Sequence, residues 1–114
     1  MPHVEAIPDF VKSLPEIEIP FAGARGWLLA GPTQQVVFLE FTETVEVPEH
    51  SHAEQWEIVV AGTVALRIDG QTIHHSVGDS FFIPANTPHS ATVQAGYKAL
   101  LVFNAPDRYR AKSG

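Results

Sequence analysis

Two histidines, His50 and His52, are separated only by Ser51. Side chains alternate across a strand, so on extended backbone both imidazoles point one way and Ser51 the other. A neutral imidazole reaches a metal through one ring nitrogen at about 2.0–2.1 Å, and two that converge supply part of a site that other strands can complete. The same spacing also fills core edges and exposed faces, so the neighbourhood has to decide. Just downstream lie Glu54, Gln55 and Glu57, ahead of Gly62. On a regular strand over 55–61, Gln55, Glu57 and Val59 share a face, and Trp56, Ile58 and Val60 take the other. An inward carboxyl at 57 can ligate a metal, act as acid or base with a pKa raised by burial, or orient a histidine from behind.

Further along, Gly78-Asp79-Ser80-Phe81-Phe82-Ile83-Pro84-Ala85-Asn86-Thr87-Pro88-His89 forms a second stretch. Together the two stretches resemble the paired signatures of the cupin superfamily: HxH, a carboxylate and a glycine, then GD, a proline, a tight turn and a third histidine. The resemblance covers roughly residues 35 to 104. It places His50, His52 and His89 on the three family histidines, and Gly62, Gly78, Asp79 and Pro84 on the framework positions. It implies a small single-domain jelly-roll barrel, commonly with a divalent metal inside and often dimeric.

Two positions depart from that pattern. Counted back from Gly62, the family glutamate falls on Gln55, closer to His52 than is common. An amide there removes a negative charge and leaves a neutral oxygen donor, which lowers metal affinity and raises Lewis acidity. Asn86 stands where family turns commonly have glycine, and asparagine tolerates positive φ better than other side chains. The expected metal ligands are therefore His50, His52, His89 and, weakly, Gln55. Glu57 lies about 6–7 Å further along the same face at strand rise, so it is assigned the acid/base or orienting role.

Other residues carry less. His74 and His75 are adjacent, so only one can face inward, and an exposed hairpin after Asp69-Gly70 is the expected home of both. His3 is weaker still as a ligand. Glu54 is expected on a solvated loop, Trp56 between sheets, and Arg67, alternating with Val64, Leu66 and Ile68, on a solvent face. Trp27, Phe38, Phe41, Phe81, Phe82 and Phe103 are either core or pocket wall, with most of them expected in the core. Arg108, Tyr109 and Arg110 fall in a tail without an assignable role.

The elements that must hold these groups are short runs of Val, Ile, Phe and Thr punctuated by Gly, Pro and Asn. Strands are expected near 17–20, 25–30, 35–41, 43–48, 50–53, 55–61, 63–69, 72–76, 80–84, 89–94 and 97–104. Turn signals at Gly62, Asp69-Gly70, Gly78-Asp79, Asn86 and Ala95-Gly96 keep the rhythm of an antiparallel sandwich or barrel, with no helix long enough for parallel crossovers. The fold class is all-β, a double-stranded β-helix or jelly-roll barrel. Ile7, Phe10, Val11 and Leu14, between Pro8 and Pro15, predict one short N-terminal helix. The expected organisation is a single domain: helix and edge strands over 1–34, barrel over 35–104, tail over 105–114.

Composition excludes several classes. The 114 residues carry 7 basic and 13 acidic side chains, a net charge of −6, and no cysteine. Disulfides and sulfur-ligated metals are excluded, and scattered Lys and Arg leave no basic face for nucleic acid. No apolar run approaches the about 20 residues of a membrane helix. Met1 to Glu5 lacks signal-peptide character, so a cytoplasmic location is the expectation. The expected activity is that of a divalent-metal enzyme on a small sugar- or acid-like substrate, by isomerisation, elimination or oxidation. A non-catalytic barrel binding such a ligand is the alternative, and a barrel serving assembly with relic histidines is a third reading. Manganese, iron, nickel, copper and zinc all suit the donor set. One ion per chain is expected, lost below about pH 6 as imidazoles protonate. A homodimer is expected, with Ile17-Glu18-Ile19-Pro20 pairing to a partner or covering its own edge.

Overall fold

The computed structural model describes residues 7–113. Nine strands follow one short turn of helix: β1 (Ala24–Ala30), β2 (Gln35–Phe41), β3 (Val45–His50), β4 (Gln55–Ala61), β5 (Val64–Ile68), β6 (Gln71–His75), β7 (Ser80–Ile83), β8 (His89–Val93) and β9 (Lys98–Phe103). They form two antiparallel sheets, ordered β1-β2-β9-β4-β7 and β3-β8-β5-β6. This is the jelly-roll architecture expected. Alternation builds the interior: Val37, Leu39 and Phe41 of β2, Ala99, Leu101 and Phe103 of β9, and Val64 and Val93 of β5 and β8 meet in one buried cluster. The turns use the residues that tolerate positive φ. Asp69 and Gly70 (φ 52° and 73°) close the β5–β6 hairpin, and Asn86 (φ 59°) takes the turn before β8.

The N-terminal helix shrinks to a single 3-10 turn, Val11–Ser13. Pro15 drives Leu14 to extended backbone (ψ 160°), and the six residues between the two prolines are too few to repay helix nucleation. Ile7 and Val11 still cover Trp27 on the outer face of β1, with Leu14 and Phe38 beside them, whereas Phe10 is exposed. The segment expected as a strand at 17–20 makes only bridges, Glu16 to Trp27 and Ile17 to Ala111. Its main chain bonds to its own chain on both sides, Ile17 N–H to the Gly26 carbonyl and Glu18 N–H to the Arg110 carbonyl. It thus covers its own edge. No helix among the described residues is long and apolar enough to cross a membrane.

Trp56 does not pack between the sheets. Gln55 and Glu57 occupy the inward positions of β4, so Trp56 stands on the outer face, 39% exposed, between Phe82 of β7 and Val102 of β9. Phe82 is likewise exposed, while Trp27, Phe41 and Phe103 are core. Arg67 lies outward as expected and gathers Ser90, Thr92 and Glu46 at 2.7–3.0 Å.

Candidate functional site

His50 is the last residue of β3 and pairs in register with His89, the first of β8. A register shift between Val47 and His50, where Pro48 has no N–H to donate, frees the strand end to turn. The expected strand 50–53 therefore stops at His50 and His52 lies on the loop beyond. That loop is anchored by the Asn86 N–H, which donates to the His52 carbonyl at 2.8 Å and ties both histidine segments together. The ring centroids stand 4.3–5.1 Å apart, and one ligand atom from each ring lies within 4.8 Å of the others.

Each Nδ1 faces a main-chain carbonyl: His50 that of Pro48 at 2.9 Å, His52 that of Ala53 at 2.7 Å, His89 that of Thr87 at 2.9 Å. With Nδ1–H donating, Nε2 keeps its lone pair for a ligand, as metal-binding histidines require. The three histidines thus form a site able to bind a divalent ion, and the donor set fits one. Burial lowers the His52 pKa to about 4, opposed by the Ala53 carbonyl and assisted by the positive charges of Arg108, His89 and His50. His89 is lowered by the same burial. His52 therefore stays neutral and ligand-competent well into acid, and His89 is shifted in the same direction.

Glu57 does not join the histidine cluster. Its carboxyl is buried, with Gln55 Nε2 donating to Oε1 at 2.7 Å and the Tyr97 hydroxyl donating to Oε2. Burial raises its pKa from 4.5 to about 7 against the pull of those two hydrogen bonds. Burial and the neighbouring Glu57 push the Tyr97 hydroxyl upward, so it remains a donor. Gly62 fixes this geometry. At φ +74° a Cβ there would meet Tyr97 Cα at 2.8 Å and the Gly96 carbonyl at 2.9 Å, so only glycine lets the β4–β5 turn lie against the start of β9.

The three histidines, Gln55, Glu57 and Tyr97 line one cavity of about 310 Å³ between the sheets, at the small end of ligand pockets. His74 is exposed, while His75 is half-buried and stacks on Phe81 at 4.4 Å rather than lying open on the hairpin. Neither joins the histidine cluster. Glu54 is tied to Asn104 through its carboxylate and carbonyl. His3 lies outside the described residues.

Sequence reasoning missed four residues here. Tyr97 shares inward parity with Ala99, Leu101 and Phe103, a signal that was legible. Gln35 is a polar residue at an inward position of β2, also legible, and it holds the tail. Its Nε2 donates to the carbonyls of Pro106 (3.0 Å) and Tyr109 (2.9 Å), and its Oε1 accepts from the Tyr109 N–H at 2.9 Å. The tail is pinned again where Lys112 N–H meets the Glu16 carbonyl and its ammonium meets the Glu16 carboxylate at 2.7 Å. Residues 105–112 thereby cross the barrel mouth and bring Arg108 and Tyr109 to the cavity wall.

A family model described as "Cupin domain" matches residues 37–103. No curated protein matches in sequence. Among solved structures, an RmlC-like cupin from Shewanella frigidimarina is 28% identical at a TM-score of 0.71, covering 84% of this chain and 87% of that one. KdgF from Halomonas sp. is 22% identical at 0.68, with 80% and 87% covered. Oxalate decarboxylase from Bacillus subtilis, a protein with Mn(II) centres, is 19% identical at 0.66, covering 83% of this chain but 28% of its own length. The motif order, the two sheets and the match over 37–103 agree, and the chain belongs to the cupin-domain family.

Proposed function

We propose that this chain is a divalent-metal-dependent enzyme that moves a proton on a small oxygenated substrate, the chemistry of an isomerisation or elimination. The observation that carries this reading is the buried Glu57 carboxyl, held by Tyr97 and Gln55 in the same cavity as three histidines whose Nδ1 atoms all face carbonyls. A bound cation supplies Lewis acidity toward a substrate oxygen. Glu57 takes or returns the substrate proton on a carboxylate lone pair, Tyr97 holds Oε2 throughout, and the apolar walls exclude water. Gln55 orients Glu57 through its nitrogen, which leaves its carbonyl oxygen as the candidate fourth ligand. KdgF and oxalate decarboxylase support the reading as examples of this fold, and Mn(II) in the latter supports a metal in such a barrel.

The test is hydrogen exchange. Protein loaded with Mn²⁺ or Zn²⁺ is incubated in D₂O with a panel of small hydroxy acids, keto acids and sugars, and deuterium at carbon is read by mass spectrometry. Metal-dependent incorporation in at least one compound is expected. Binding without exchange anywhere in the panel would instead favour a non-catalytic ligand-binding barrel, the reading that the amide at position 55 supports.

We also propose a homodimer through the outer face of the five-stranded sheet. Trp56 (39% exposed), Val60 (37%) and Phe82 (54%) stand there uncovered, and apolar faces of that kind mark association sites. Light scattering should give twice the chain mass at micromolar concentration, and a Trp56→Glu, Phe82→Glu variant the mass of one chain. A monomeric wild type defeats the proposal.

A further inference from the structure

We propose that Arg108 is the ligand-reading residue of this cavity, and that it selects a small organic acid by taking the acid's carboxylate onto its guanidinium. This rests on the histidine cavity being a ligand site and adds the class of ligand it receives.

Three observations carry it. The first is that Arg108 has no counter-ion among the described residues. Lys12, Arg25, Arg67 and Lys112 each meet a glutamate within 4.0 Å, whereas Arg108, like Lys98 and Arg110, makes no ion pair among the described residues, and of these three only Arg108 lines the cavity. It is the one arginine on the cavity wall. The second is an unmet donor: its Nε is buried and has no hydrogen-bond partner among the described residues. A buried charged donor left unmade is costly, and a carboxylate meeting a guanidinium side-on satisfies Nε–H and one Nη–H together. The third is that the group is held in place. Its guanidinium carbon lies 4.4 Å from the Tyr109 ring centroid and 5.5 Å from that of Phe103, and Gln35 clamps the chain on both sides of it at Pro106 and Tyr109. Gln35 thus fixes the backbone that carries Arg108, and the Tyr109 and Phe103 rings hold its guanidinium.

Charge then gives the sign of the ligand. The Arg108 guanidinium carbon and the His52 ring each lie 5.5 Å from the Phe103 ring centroid, so the positive charge stands one aromatic ring away from the histidines placed to gather a cation. A guanidinium beside a divalent ion is repulsive unless an anion lies between them. The acid of the cavity, Glu57, is already committed to Tyr97 and Gln55. An incoming carboxylate resolves the repulsion from both sides and sets the rest of the molecule toward Glu57. The cavity of about 310 Å³ has room for a single small acid.

Malonate and lactate, each against its neutral amide, are the probes. In metal-free wild type, the Arg108 Nε–H resonance should shift saturably with the acids and stay unmoved by the amides. In Mn²⁺-loaded protein, calorimetry should show each acid binding at least about tenfold tighter than its amide, the span of one good charge-assisted pair. Arg108→Gln should abolish that preference with metal content unchanged, and Arg108→Lys should restore part of it. If the metal fails to load but the Arg108 resonance still responds to acids, the enzyme reading falls and this inference stands. If the metal loads while acid and amide bind alike and the resonance is silent, the inference is overturned and the enzyme reading stands.

Discussion

Untagged protein exposed to Mn²⁺ or Zn²⁺ is expected to retain one ion per chain, and the His52→Ala, His89→Ala double variant to retain none above background. Removing a group behind a ligand already costs about 10–100-fold in affinity, so loss of two ligands together should exceed 100-fold. Gln55→Ala removes a neutral oxygen and should cost only about tenfold on the same scale. Elemental analysis after gel filtration reads all three, and equal metal in wild type and the double variant would defeat the site. The structure also moves the pH threshold. Free imidazoles near 6.5 would begin to release metal below about pH 6. Burial holds His52 at about 4 and lowers His89, so retention extends below that point and the ion leaves as the pH nears the His52 value. The metal-free fold behaves oppositely in stability. From pH 6.5 toward 4 the unfolded chain takes up a proton that His52 refuses, so its contribution, full above 6.5, is lost as pH falls, and the lowered His89 acts in the same direction.

Glu57→Gln is expected to cost catalysis and increase stability. The amide keeps the shape, its oxygen accepting from Gln55 Nε2 and its nitrogen donating to the Tyr97 hydroxyl oxygen, but it cannot accept a proton. Turnover should fall by about 10²–10⁴-fold, the contribution of a positioned base, with metal content nearly unchanged. Stability follows from the raised pKa. Ionised Glu57 is disfavoured in the fold, so a penalty is present in full above pH 7 and is relieved as pH falls from 7 to 4.5, where folded and unfolded carboxyls are both protonated. A rise from 4.5 to about 7 corresponds to about 3 kcal/mol, at about 1.4 kcal/mol per tenfold change in proton affinity. Metal-free Glu57→Gln should therefore be more stable than metal-free wild type by up to that amount at pH 8, and the two should converge near pH 4.5. Urea titrations at the two pH values check this. A variant weaker than wild type at pH 8 would mean that the carboxylate is stabilised in the fold.

These results separate what the sequence carries locally from what only the fold supplies. The alternation of Gln55, Glu57 and Val59, the positive-φ residues Asp69 and Asn86, and the ordered histidine motifs are properties of a few neighbouring residues, and they read through to the structure. The convergence of His50 and His52 was anticipated for a reason that holds only in part. Strand parity ends at His50, and the loop anchored by Asn86 brings His52 to the others. Trp56 shows the limit of parity, which gives the direction of a side chain but not what covers it. Arg108 and Tyr109 were illegible because their positions depend on Gln35, 71 to 74 residues away along the chain from the groups it binds.

That clamp divides the cavity between two parts of different evolvability. The histidines and Glu57 belong to strands and anchored turns whose backbone is shared with the core, so their replacement disturbs the barrel. Arg108 and Tyr109 belong to a short strap held to the barrel chiefly through main-chain atoms, which any side chain at 107, 108 or 110 leaves in place. Ligand preference can therefore drift, or be engineered, by exchanging those few residues while Gln35 and the histidine cluster are left untouched, a modularity built into residues 105–112.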